Sequence, residues 1–289
     1  MALEHNQKKL LLQFQKQEIT GSIIYEKLAK RQKDEHNRNL LNRIANDERG
    51  HYSVYKKLTG KDVLPNRWQV FIYSIISYFL GPTFTVKLME NNEADDQILY
   101  SQLAHLPELP AIIKDEENHE RELIEMINEE RLDYMGSVVL GLNDALVELT
   151  GALAGLTFAL QDPNLIALTG LITGIAAAFS MAASEYLSTK SENTERHATK
   201  ASLYTGIAYI FTVGFLILPY LLISSVYISL GLTLIIAILI IAAFNYYYSV
   251  VKDEKFTRRF SEMALLSMGI AILSFGVGLL LRRFFGIDV

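Results

Sequence analysis

Residues 136–160 read GSVVLGLNDALVELTGALAGLTFAL. It is apolar almost throughout and carries no Lys or Arg. At 1.5 Å per residue it is long enough to cross the ~30 Å hydrocarbon core of a bilayer. Four more stretches of the same kind follow, at about 165–189, 202–224, 226–250 and 262–282. Upstream the composition inverts, and residues 1–133 are dense in Glu, Lys, Arg and Asn. A change of solvent accounts for this break better than a linker does. The chain therefore reads as all-α, with a water-facing part over 1–133 and a five-helix membrane part over 134–289.

The charges between the apolar stretches set an orientation. Lys190, Arg196 and Lys200 lie in one loop, and Lys252, Lys255, Arg258 and Arg259 in another. The intervening loops at 161–164 and around 224–225 carry no Lys or Arg. The positive-inside rule then puts the charged loops and the N-terminal part in the cytosol. Five spans put the C-terminus outside, with Arg282 and Arg283 snorkelling to the interface. The N-terminus is polar, so no cleavable signal peptide is expected, and a prokaryotic cell membrane is the expected location. The 27 Lys+Arg against 32 Asp+Glu give a net charge of −5, which excludes a nucleic-acid footprint. The absence of cysteine excludes disulfides, zinc knuckles and iron–sulfur clusters.

The water-facing part reads as helices. Leu10, Leu11, Phe14, Ile19, Ile23, Ile24 and Leu28 recur at helical spacing. Further helices are expected at about 34–58, 83–102 and 110–134, and four helices of this size make a bundle. Residues 68–80, WQVFIYSIISYFL, are too short to span a bilayer. They read either as a buried crossover helix or as a helix lying in the membrane interface, with Trp68, Tyr73 and Tyr78 at headgroup level.

Two Glu-x-x-His pairs fall on the second and fourth of these helices, Glu48 with His51 and Glu116 with His119. Spacing i,i+3 puts each carboxylate and imidazole on one face. The first helix offers Glu18, and the third offers Glu90 and Glu93. This is the ligand order of a di-iron or di-manganese carboxylate bundle. Paired divalent cations need that many carboxylates to offset their charge, with imidazole completing the coordination. The plain alternative is a set of solvated charged faces, and the ligand order across four helices argues against it. His5, His36 and His105 lack this context and are expected to be exposed.

A second constellation lies in the apolar part. Asp144 and Glu148 share one face of the first span, Asp144 about nine residues in, or ~13 Å deep. A charge at that depth costs at least ~2.5 kcal/mol, so such groups normally face a pathway or a partner. Glu185 lies near the cytosolic end of the second span, where it could meet Asp144. Met181, one turn earlier, adds a softer ligand suited to iron-like metals. The pairs Gly151/Gly155 and Gly170/Gly174 predict close helix packing, a dimer interface included.

At Glu18, the two Glu-x-x-His pairs and the segment ENNEADDQILY (90–100), the first ~130 residues resemble rubrerythrin and other ferritin-like proteins. The cysteine-ligated iron module often attached to rubrerythrins has no counterpart here. The segments at 139–156 and 174–195 resemble the vacuolar iron transporter family. That resemblance implies five spans, a homodimer, and Asp144, Met181 and Glu185 along an ion path. The helical metal-binding insertion that some members carry after the second span is missing. The combination is similar to the fusion class called membrane-bound ferritin, or erythrin–vacuolar iron transporter. The expected function is export of Fe2+, or of Mn2+, from the cytosol in exchange for protons. The ferritin-like part would bind, deliver or sense the metal. The alternative is a membrane-anchored di-iron oxidase or peroxidase, so whether the chain is an enzyme stays open.

Overall fold

A computed structural model of the chain describes residues 5–94, 103, 106–125, 133–192 and 196–285. Among the described residues there are ten α-helices and no strand. The all-α fold and the five apolar helices expected from the sequence are found. The chain divides into two compact units, Met1–Asn128 and Glu129–Val289.

In the first unit α1 is His5–Ala29, α2 Glu35–Thr59, α3 Arg67–Leu80, α4 Pro82–Ala94 and α5 Leu109–Glu125. Local chemistry sets the ends of α2. Asp34 accepts a hydrogen bond from the Asn37 N–H at 2.8 Å. Gly60, at φ 65, takes the left-handed turn that closes the helix on the Lys56 carbonyl. One apolar cluster joins Ile24, Tyr25 and Leu28 of α1 to Leu41 and Ile44 of α2 and Leu123 of α5. A second joins Leu11 and Phe14 to Tyr55, Leu109 and Ile112. A buried polar clasp ties α1 to the end of α2: the Thr59 hydroxyl donates to Gln15 Oε1 at 2.8 Å, and Gln15 Nε2 donates to the Lys61 carbonyl at 2.9 Å. The helix expected at 110–134 is described to Glu125, and the one expected at 83–102 to Ala94.

A buried crossover helix at 68–80 is not what forms. Val70, Tyr73 and Ser77 of α3 are buried, but Trp68, Phe71, Tyr78 and Phe79 are exposed. Neighbouring helices cover one stripe only of a segment that is apolar all round.

In the second unit α6 is Met135–Leu160, α7 Pro163–Ser191, α8 Ala198–Leu222, α9 Val226–Lys252 and α10 Phe256–Phe285. Each is long and apolar enough to cross a membrane, with mean hydropathy from 1.4 to 2.7. Asp162 caps α7, its Oδ1 accepting from the N–H groups of Asn164 at 2.7 Å and Leu165 at 3.1 Å. α10 starts earlier than the span expected at 262. Arg258 and Arg259 stand on its first turns rather than in the loop, with Arg258 paired to Glu262 one turn on. The core runs through Leu146, Leu149, Leu153, Tyr209, Leu216 and Ile241.

Helices in this unit approach closely where side chains are missing. A Cβ on Gly141 would stand 2.4 Å from the Thr205 carbonyl oxygen, so α6 and α8 touch backbone to backbone there. The predicted glycine pairs are used within the chain. Gly151 and Gly155 face Ser274 of α10, and Gly170 and Gly174 face Ile217 and Val213 of α8.

Candidate metal centre

Five of the predicted ligands converge in the first unit. Glu18 comes from α1, Glu48 and His51 from one face of α2, and Glu116 and His119 from one face of α5. Glu18, Glu48, His51 and His119 are all buried, and Glu116 is half-buried. Glu90 and Glu93 stand on α4, but their side chains lie outside the described residues. His36 is exposed as expected, while His5 and His105 lie outside the described side chains.

The five side chains form two overlapping groups able to hold a metal ion: Glu18, His51 and Glu116, and Glu48, Glu116 and His119. Within each group the donor atoms lie within 4.8 Å of one another. Glu116 belongs to both. Its Oε1 is 2.9 Å from His51 Nδ1, and its Oε2 is 3.6 Å from His119 Nδ1. Glu18 Oε2 approaches His51 Nδ1 at 3.4 Å from the other side. The two imidazole rings sit 6.0 Å apart between centroids. Gly21, on the same helix as Glu18, leaves space for Glu48, since a Cβ there would come within 3.2 Å of Glu48 Oε2.

The outer edge of each histidine is held as well. His51 Nε2 lies 3.4 Å from Asp115 Oδ2 on α5, and His119 Nε2 lies 3.3 Å from Asp47 Oδ2 on α2. Each aspartate precedes the glutamate of its own helix and braces the histidine of the other. Such a partner fixes the tautomer, so that Nδ1 faces inward with its lone pair. Asp47 and Asp115 are not among the ligands expected from the sequence. The signal was present as a repeated Asp-Glu-x-x-His at 47–51 and 115–119.

Electrostatics make this a strongly coupled cluster. Burial alone would push Glu116 upward, but the close approach of the His119 and His51 imidazoles outweighs it and holds the carboxyl at about 2. Burial would lower His51, yet Glu116 and Glu18 raise it to about 10. His119 is raised in the same way, against its burial, by Glu116 and then Asp47. Glu18 is raised, chiefly by burial and then by the charge of Glu116.

The donor set fits a pair of metal ions. Glu18 Oε2, His51 Nδ1, Glu116 Oε1 and His119 Nδ1 are buried and make no hydrogen bond of proper geometry, although they crowd together. Buried polar atoms are seldom left so, and here all four point toward a common interior. Carboxylate oxygen with imidazole nitrogen suits Fe2+ and Mn2+.

In the second unit the structure separates the predicted residues. Asp144 is half-buried and lines a shallow groove along α6 with Gly136, Asn143 and Val147. Glu148, one turn on, is exposed and accepts a hydrogen bond from the Tyr209 hydroxyl at 2.8 Å. It opens on a different cavity, shared with Gly155, Thr169 and Thr173. Met181 is half-buried against the core. Glu185 is buried and accepts from the Ser137 hydroxyl at 2.5 Å, with Thr189 at 3.5 Å. Its partner on α6 is therefore Ser137 and not Asp144. Asp144 stands seven positions after Ser137, ~10 Å further along the helix axis.

Residues 135–202 match the profile of the VIT family. The match covers α6, α7 and the start of α8, and takes in Asp144, Glu148, Met181 and Glu185. A search of curated proteins gives no match. With its five apolar helices the chain is an integral membrane protein, and residues 135–202 of its second unit are similar to the VIT family.

Proposed function

We propose that the chain exports divalent metal ions, Fe2+ or Mn2+, from the cytosol in exchange for protons. We further propose that its first unit is a ferritin-like domain of the rubrerythrin type that binds the ion and delivers or senses it. The observation that carries the transport reading is the coincidence of Asp144, Glu148, Met181 and Glu185 with the VIT-matching stretch. Carboxylates held at membrane depth are expensive and are retained where ions or protons pass. In this reading the protein works as a homodimer in a prokaryotic cell membrane, with the first unit in the cytosol.

The first unit would hold two ions, bridged by Glu116. Glu18 and His51 serve one ion, Glu48 and His119 the other, and Glu90 and Glu93 complete the set. A bound di-iron pair would supply the Fe2+/Fe3+ redox capacity that the side chains lack. The residues themselves offset four positive charges and keep the ligands oriented through Asp47 and Asp115.

Flux into proteoliposomes loaded with a metal-sensitive dye tests the proposal. Wild type should move Fe2+ and Mn2+, and Asp144→Ala should not. The paired centre favours a second reading, a membrane-anchored di-iron oxidase or peroxidase. Rapid turnover of peroxide or a quinone without metal flux would select it. Deletion of residues 1–130 separates delivery from sensing: lost flux means delivery, and unregulated flux means sensing.

A further inference from the structure

α3 presents a face that nothing in its own unit covers. Of its fourteen residues, Val70, Tyr73 and Ser77 turn inward. Trp68, Phe71, Tyr78 and Phe79 stand out at 69%, 54%, 70% and 71% exposure. Ile72 and Ile75 extend the same face. The helix carries no acidic residue, and its one charge is Arg67. An exposed apolar patch of this kind marks an interaction surface.

The rim of the patch is cationic. Lys27, on α1, donates to the Ser74 hydroxyl at 3.3 Å, and Arg31, in the turn just past the end of α1, donates to the Ser74 carbonyl at 2.9 Å. The Arg31 guanidinium also lies 5.7 Å from the centroid of the exposed Tyr78 ring. Lys30, nearby, is paired with Glu26 at 2.8 Å. Lys27 and Arg31 are thus held beside the aromatic face on a backbone that needs neither charge.

We propose that α3 docks on an anionic phospholipid bilayer, its apolar face at the boundary of headgroups and acyl chains, with Lys27, Arg31 and Arg67 on lipid phosphates. An apolar face with Trp and Tyr side chains flanked by Lys and Arg is the composition of an interfacial helix. A bilayer is within reach because the same chain carries five membrane-capable helices. A second copy is the poorer occupant, since a two-fold contact would set the same cations against each other.

Trp68 is the chain's only tryptophan and reports the contact directly. The full chain is reconstituted in vesicles with and without acyl-brominated lipid, using phosphatidylglycerol or phosphatidylcholine. Trp68 emission should be blue-shifted in vesicles and quenched roughly twofold by bromine, as for a side chain ~5–10 Å into the boundary. Quenching should be stronger in the anionic lipid, and Lys27→Gln with Arg31→Gln should remove that difference. Emission typical of water and insensitive to bromine overturns the proposal. A blue shift without quenching also overturns it and identifies a protein partner such as a second copy. Quenching with an unchanged lipid preference in the double variant overturns the role given to the cations.

Discussion

His119 turns its outer nitrogen to Asp47, 3.3 Å away on the opposite helix, and so leaves its inner nitrogen facing Glu116. The same arrangement, mirrored, joins His51 to Asp115 at 3.4 Å. Braces of this kind are worth about 10–100-fold in metal affinity. Asp47→Ala and Asp115→Ala should each weaken Mn2+ binding to the full chain by about that factor. Titration calorimetry in detergent measures it, and Asp62→Ala, at an exposed aspartate outside the centre, serves as the control.

Glu116 is shared between both groups of ligands, so its loss should not be a local event. Glu116→Gln should abolish the binding of both ions. Glu117→Gln, at an exposed neighbour, should leave the stoichiometry of two per chain intact. Retention of one tight ion in Glu116→Gln would show that the carboxylate is a ligand to one site only.

Metal binding should strengthen as pH rises. In the metal-free centre His51 titrates at about 10 and so carries a proton at neutral pH, and Glu116 and Asp47 raise His119 in the same direction. An ion can enter only by displacing the proton on His51, and each proton released changes the apparent affinity about tenfold per pH unit below the folded pKa. Mn2+ titrations at pH 6 and pH 8, with proton release read from buffers of different ionisation enthalpy, check both sign and number. A pH-independent affinity would contradict the protonated-histidine account.

Gly141 packs without a side chain against the Thr205 carbonyl. Gly141→Ala forces α6 and α8 apart and should destabilise the membrane unit by about 1–3 kcal/mol. Gly136→Ala, where an added Cβ meets nothing within 4 Å, should be neutral. Thermal unfolding in detergent compares the two.

Residues 136–160 could be read as a span because length, apolarity and the absence of Lys and Arg all agree there. The Glu-x-x-His pairs were legible because i,i+3 is a property of one helix, visible without a partner. The braces were not, because Asp47 reaches His119 across 72 positions of chain. α3 stayed ambiguous for a related reason. A segment apolar on all sides does not say which stripe its neighbours will cover, and only packing selects Val70 and Tyr73 over Trp68 and Phe71. The meeting of Asp144 with Glu185 was inferred from depth alone. Ser137, a small hydroxyl two turns earlier, takes Glu185 instead. Arg258 and Arg259 read as loop because charge interrupts hydropathy, whereas the i,i+4 pair of Arg258 with Glu262 extends α10 through them.

In the proposed function, ions cross the membrane unit past Asp144. This path is tested most directly by Fe2+ and Mn2+ flux into proteoliposomes under an imposed pH gradient, comparing wild type with Asp144→Ala. Wild type should show gradient-dependent flux, and the variant should show flux at the level of empty vesicles. Equal flux in the two proteins, or none in either while the first unit turns over substrate, would contradict that path.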